Sequence, residues 1–286
     1  VGTQSEGLAL MRGGRVARVL TTADGLPHMR VSCLLQLVDG SVLAGTDGGL
    51  ARIVDDRVAP LDPAIIPPHP RVRSLLETAA PDGTRTLWVG TEGGLARVER
   101  GTTTVYDTRS GLGNNVVLSL LERADASGAR SLWVGTRGGG IAILDLEAPA
   151  PVWRAVLSPD LPNETVYQLR QDAKGRVYAF TNKGVARLAP RDPSPDKPSR
   201  FRVYVFTSED GLPSNECNTG ASMVDRWGRI WAGTIGGIGV FDPSREIEDA
   251  TERPLVLERA YLPTRYRTVG PTDRLEADEN HIVFQL

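Results

Sequence analysis

A chain of 286 residues, 40% of them hydrophobic, is long enough to bury a sizeable core as one large domain or two smaller ones without help from disulfides or metal. Its 33 basic and 35 acidic residues are interspersed and leave a net charge of -2, which argues against nucleic acid or an anionic membrane as a partner. No apolar run approaches the ~20 residues of a membrane span, and no charged-then-apolar leader opens the sequence; Val1 stands inside a repeat, as expected for a piece of a longer protein.

The repeat organises everything else. VGTQSEGLALM at residues 1–11 recurs as LAGTDGGLARI at 43–53, LWVGTEGGLARV at 87–98, LWVGTRGGGIAIL at 132–144, YAFTNKGVARL at 178–188 and IWAGTIGGIGVF at 230–241. The glycine before threonine is Gly2, Gly45, Gly90, Gly135 and Gly233, with Phe180 in its place in the fifth copy, so the intervals are 43, 45, 45, 45 and 53 residues. A period in the forties built from short strand-like runs and glycine turns predicts an all-β fold, a propeller of four-stranded blades.

The third copy displays the expected strands at 71–77, 86–91, 95–99 and 102–108. Gly93-Gly94 is read as a tight hairpin whose residues need positive φ. Trp88, Trp133 and Trp231 recur at one register and are read as packing residues rather than a carbohydrate platform. A second phrase, Asp24-Gly25-Leu26-Pro27, Ser110-Gly111-Leu112-Gly113, Asp160-Leu161-Pro162-Asn163 and Asp210-Gly211-Leu212-Pro213, precedes an apolar run each time and is the expected crossover between blades. Asp39, Asp172 and Asp225 stand near glycines in turns on the opposite face and are read as turn formers, not catalytic acids. The proline-rich stretches at 63–70 and 190–198 are expected loops.

After Phe241-Asp242-Pro243 the repeat stops, and strands are expected at 254–262 and 281–286, so a propeller over 1–250 is followed by a second piece over 251–286. Cys33 and Cys217, 184 residues apart, are read as buried apolar residues rather than a disulfide.

These phrases resemble the two-component regulator propeller repeats of extracytoplasmic sensor regions in bacterial hybrid histidine kinases and some diguanylate cyclases. The resemblance rests on LWVGTEGGLARV with its following Gly-Leu-Pro turn, and on residues 211–243 as the closing blade. There the family's Asn-Glu-Phe-Asn element is Asn215-Glu216-Cys217-Asn218, with Cys217 the departure. The tail, with LEADENHIVFQL, resembles the first strands of the immunoglobulin-like sandwich that follows such propellers. The resemblance implies seven blades, so that about one and a half are missing at the front. It further implies a periplasmic or extracellular location, a homodimer in the full-length protein, and a kinase or cyclase output domain elsewhere.

No catalytic constellation stands out, and no cofactor is expected. His28, His69 and His281 lack metal-ligand spacing, and no nucleophile elbow or phosphate loop leads into a helix. Crossovers and Gly-Thr hairpins emerge on one face of a propeller, so their side chains converge on one concave surface. The candidate ligand contacts are therefore His28, Asn114, Asn115, Asn163, Glu164, Asn215 and Glu216 in the crossovers. Asp47, Glu92, Arg137 and Lys183, with Ile235, are read as following Gly-Thr. Variation on a constant scaffold suits binding better than a repeated catalytic device, and the resemblance implies a non-enzymatic sensor of a small molecule, an oligosaccharide by family analogy. The alternatives are a protein-binding scaffold and a propeller glycosidase or lyase.

Overall fold

The computed structural model describes residues 1–125, 127–148, 150–191, 200–246, 259–262, 267–270 and 283–285. The chain divides into two compact units, Val1–Ser244 and Arg245–Leu286.

The first unit is built from six antiparallel sheets that follow one another along the chain. A two-stranded sheet, β1 (Leu8–Arg12) and β2 (Arg15–Leu20), comes first. Four sheets of four strands follow. They are β3 (Val31–Gln36) to β6 (Arg57–Ala59) through β4 (Val42–Thr46) and β5 (Gly49–Val54); then β7 (Val72–Ala79), β8 (Arg85–Thr91), β9 (Gly94–Glu99) and β10 (Thr102–Tyr106). The next are β11 (Val117–Ala124), β12 (Arg130–Thr136), β13 (Ile141–Asp145) and β14 (Trp153–Val156), then β15 (Val166–Gln171), β16 (Val177–Thr181), β17 (Gly184–Pro190) and β18 (Phe201–Phe206). A three-stranded sheet closes the unit: β19 (Cys217–Val224), β20 (Ile230–Thr234) and β21 (Gly237–Phe241).

The opening strands β3, β7, β11, β15 and β19 lie side by side in that order. This is the predicted β-propeller, with five blades preceded by a two-stranded partial one. The first repeat copy supplies only the third and fourth strands of its blade; Gly2 contributes a single bridge to Leu8.

Among the described residues there is no central core. The apolar side chains fall into five clusters, and each joins two consecutive sheets. Trp88, for example, packs with Val117, Leu132 and Ala142 of the next blade, and Trp133 with Val166, Leu169 and Val177 of the one after. Burying one such side chain contributes roughly 1.5–3 kcal/mol, so a handful per interface is enough to fix neighbouring blades against one another.

The Gly-Thr pair is a device of these interfaces. A Cβ on Gly45 would collide with Cys33 Sγ and stand 2.7 Å from Val72 Cγ1; one on Gly90 would collide with Ser74 Oγ and stand 2.6 Å from Val117 Cγ1. Gly2 meets Val31 and Gly135 meets Val166 in the same way, so each glycine leaves room for the first valine of the following blade. In the fifth copy Phe180 fills that space, and the facing residue shrinks from valine to Cys217 in the same buried cluster. The threonine closes the hairpin. Thr46, Thr91, Thr136 and Thr181 are fully buried, and their hydroxyls donate to the carbonyls of Gly49, Gly94, Gly140 and Gly184.

In the Gly48-Gly49, Gly93-Gly94 and Gly236-Gly237 hairpins the second glycine carries the positive φ: +128° at Gly49, +130° at Gly94 and +136° at Gly237. Gly93 does not; a Cβ there would stand 2.8 Å from His69 Cβ, so its smallness serves a close approach rather than a turn.

The tryptophan register is packing, as read from the sequence. Trp88 and Trp133 are 1% and 2% exposed, with Tyr178 in the same place at 1%, and their polar atoms donate to Thr78, Ser131 and Asp172 respectively. Trp231 donates to Asp225 likewise, but its face of the last sheet is open: Met223 and Val240, paired with it across the strands, are about half exposed, and Ile238 is 67% exposed.

Residues 63–70 form no strand, and residues 192–199 lie outside the described residues. Cys33 and Cys217 are free thiols, and burial pushes them up to about 12 and about 11. In the second unit, β22 (Arg259–Leu262), β23 (Arg267–Val269) and β24 (Val283–Gln285) form an antiparallel sheet with β22 in the middle. The strand positions expected at 254–258, 281–282 and 286 lie outside the described residues.

Candidate functional site

Three of the crossovers begin with a single 3-10 turn, Thr22–Asp24, Thr108–Ser110 and Ser208–Asp210. Thr21, Asp107 and Thr207 cap these turns, and the third turn residue reaches back to the cap's own N–H, a reciprocal capping box. The glycine that follows is left-handed, at φ 100°, 113° and 94° for Gly25, Gly111 and Gly211. Leucine comes next and is buried at Leu26 and Leu112.

The crossover then runs against the Gly-Thr hairpin of the blade it enters. Gly48 faces the Pro27 carbonyl, Gly139 abuts Gly113 and Gly236 faces the Pro213 carbonyl. The following crossover ties to the same hairpins: Gly138 and Gly140 donate to the Glu164 carbonyl, and Gly184 to that of Asn215. Crossovers and hairpins therefore alternate on one face of the unit.

Most candidate side chains on this face hold the face together. His28 Nδ1, Asn114 Oδ1 and Asn163 Oδ1 accept from the backbone N–H two residues on, at Arg30, Val116 and Thr165. Asn115 Oδ1 accepts from Thr108 N and Asn215 Oδ1 from Ser208 N, each satisfying the start of a 3-10 turn. Their positions follow from turn chemistry.

Asp47 and Glu92 are brought together by a residue that the sequence reading did not single out. Arg73, the second residue of β7 and only 12% exposed, donates to Asp47 at 2.9 Å and to Glu92 at 2.7 Å, and also to Ser32 Oγ at 3.1 Å. Arg71 adds a contact to Glu92 at 3.3 Å, and Arg30 approaches Asp47 at 3.9 Å. Burial pushes the Glu92 carboxyl up, but the guanidiniums of Arg73 and Arg71 outweigh it and hold the group below the usual carboxylate range. This network joins two neighbouring blades.

Lys183 needs a correction. Its N–H donates to Thr181 Oγ1, the bond made elsewhere by Gly48, Gly93 and Gly236, so it stands one place beyond Asp47 and Glu92. The equivalent residue is Asn182, whose Oδ1 accepts from Tyr167 OH at 2.5 Å. Counting from each threonine would have found it, because Phe180 obscures the Gly-Thr alignment.

The register after threonine thus reads Asp47, Glu92, Arg137, Asn182 and Ile235. Arg137 and Lys183 are exposed and make no ion pair among the described residues; Glu216 is exposed and Glu164 half-buried. These side chains offer charge and hydrogen bonds to a ligand. Among the described residues no three His, Cys, Asp or Glu stand together as a metal site, and no helix is long and apolar enough to cross a membrane.

The extracellular domain of the putative hybrid two-component system BT3049 from B. thetaiotaomicron is similar over 100% of this chain and 41% of its own, at 19% identity and a TM-score of 0.57. The feature shared with it is the β-propeller fold. The corresponding domain of BT4673 from the same organism covers 76% of this chain and 30% of its own, at 20% identity and a TM-score of 0.57. PorZ, a surface component of the type-IX secretion system of Porphyromonas gingivalis, covers 84% and 36% at 15% identity, also with a TM-score of 0.57. The chain therefore spans less than half the length of these structures. No family model matches the sequence, and no curated protein does.

Proposed function

We propose that this chain is the ligand-binding propeller of an extracytoplasmic sensor, and that a small molecule, an oligosaccharide in the first instance, binds on the crossover face. The observation that carries this reading is the register after threonine. The hairpins carrying it are built alike, threonine hydroxyl to glycine carbonyl, yet the residue presented changes from acid to base to amide to isoleucine. A scaffold that holds constant while its displayed side chains vary suits recognition better than a repeated catalytic device. The similarity to the BT3049 and BT4673 extracellular domains supports the sensor assignment. In that role, ligand binding alters the geometry of the propeller in a homodimeric membrane protein and reaches a cytoplasmic kinase or cyclase.

The test is a thermal-shift screen of the chain against neutral and charged oligosaccharides, repeated on Arg137→Ala/Lys183→Ala. A saccharide that raises the parent's Tm and loses that effect in the variant supports the reading. Turnover of the saccharide would replace it with the glycosidase or lyase reading, and a stabilising ligand indifferent to the variant would move the site off this face.

A further inference from the structure

The opposite ends of the same sheets form a second site. Between the blade of β11 to β14 and that of β15 to β18 lies a cleft of about 1070 Å³, bordered by the β11–β12 and β15–β16 turns and by the ends of β13, β14, β17 and β18. Antiparallel strands put these turns at the end away from the Gly-Thr hairpins, so the cleft is separate from the crossover face.

Its charge is opposite to that of the molecule. Among the described residues six cations line it, Arg123, Arg130, Arg154, Lys174, Arg191 and Arg200, against three aspartates, in a chain of net charge -2. The aspartates are occupied. Asp172 is paired with buried Arg176 at 2.7 Å; Asp125 accepts from the N–H and hydroxyl of Ser127; Asp145 accepts from Glu147 N. Arg130 is paired with Glu122. Arg123, Arg154 and Arg200 make no ion pair among the described residues. Arg123 is held in place by its Nε bond to the Gly175 carbonyl across the blade boundary and by the Trp133 ring 5.9 Å from its guanidinium carbon.

From this we infer that the cleft binds an acidic oligosaccharide, one carrying carboxylate or sulfate groups along its length. Guanidiniums recognise such oxyanions through paired N–H donors. The volume exceeds what a single small anion needs and suits an extended chain. A single-stranded nucleic acid would need aromatic faces for base stacking; of the two aromatic residues lining the cleft, Trp133 is only 2% exposed beneath Arg123, and the partly buried Phe201 is packed against its ring at 5.5 Å between centres. The inference does not depend on the ligand of the crossover face.

Isothermal titration of the chain with a chondroitin sulfate hexasaccharide and with hexagalacturonate tests it, with maltohexaose as the neutral control and oligo-dT and polyglutamate as other polyanions. At least one acidic oligosaccharide should bind, and more weakly as salt rises, with maltohexaose silent. Arg154→Glu/Arg200→Glu, both exposed positions, should weaken binding at least about tenfold. Arg15→Glu, an exposed position on β2, controls for net charge and should leave it unchanged. Melting curves of each variant, with Arg154→Ala/Arg200→Ala as a milder pair, guard against misfolding. No binding of either acidic oligosaccharide, equal binding by the folded cleft variants, or tighter binding of oligo-dT or polyglutamate would overturn the proposal.

Discussion

Four of the blade boundaries meet through a glycine and a valine, Gly2 with Val31, Gly45 with Val72, Gly90 with Val117 and Gly135 with Val166. The fifth meets through Phe180 and Cys217. The bulk has moved across the boundary while the space stays filled. What the repeat conserves at this point is thus a pair of volumes contributed by two blades, and neither residue is explained by its own repeat alone. Cys217, the departure from the Asn-Glu-Phe-Asn element, has its physical partner in Phe180.

The comparison can be broken most severely at its unusual member. Phe180→Gly removes a fully buried ring and should cost about 3–5 kcal/mol in urea unfolding. Adding Cys217→Val should recover part of that loss by recreating the common pair, whereas Cys217→Val alone should destabilise by overpacking. Independent, additive effects in the three variants would show that the two positions do not share one space. Next in size, Gly90→Val at a regular boundary should cost about 3 kcal/mol, because the new side chain meets Ser74 and Val117 with no facing residue to shrink. Unaltered thermal stability would contradict the interface described here.

Smaller effects sharpen the same contrast between buried boundaries and the open last sheet. Thr91→Val leaves the hairpin's backbone partners unmatched and should cost about 1–2 kcal/mol, read from the denaturation midpoint. At the last sheet, desolvation pushes the Asp225 carboxyl up, but bonds from Trp231 and Arg229 and from backbone N–H groups bring it down to about 2. A depressed carboxyl pKa contributes stability above its unfolded value of about 4 and loses it as pH falls toward 2. Asp225→Asn should therefore flatten part of the acid limb between those values in a Tm-against-pH series. Smallest of all, neither thiol should react with iodoacetamide at pH 8 in the folded chain, since burial raises both Cys33 and Cys217 far above that pH. Rapid labelling of Cys217 would mean that its boundary opens readily.

The strands and their order were readable because a repeated phrase exposes period, turn and register at once. The third copy's expected strands match β7 to β10 to within a few residues. Side-chain roles were less readable. Gly93 and Gly94 look alike in sequence, but one relieves contact with His69 and the other adopts a left-handed backbone, a distinction set by a crossover more than twenty residues upstream. Asn115 and Asn215 looked available for a ligand, yet each satisfies an N–H seven residues earlier. Arg73 carried no motif at all; only the stacking of two blades places it between Asp47 and Glu92. The cleft at the other end was invisible for the same reason, because its arginines come from four separate strands and turns.

Clusters that each bridge only two sheets also determine how the molecule opens. A chain without a shared centre unravels by nearest-neighbour steps, so a terminal sheet, docked on one side only, is released before a sheet docked on both. Amide hydrogen exchange should accordingly be graded along the sequence, slowest in β8, β12 and β16 and fastest in β1, β2 and β21. Protection is then a matter of position along the row of sheets.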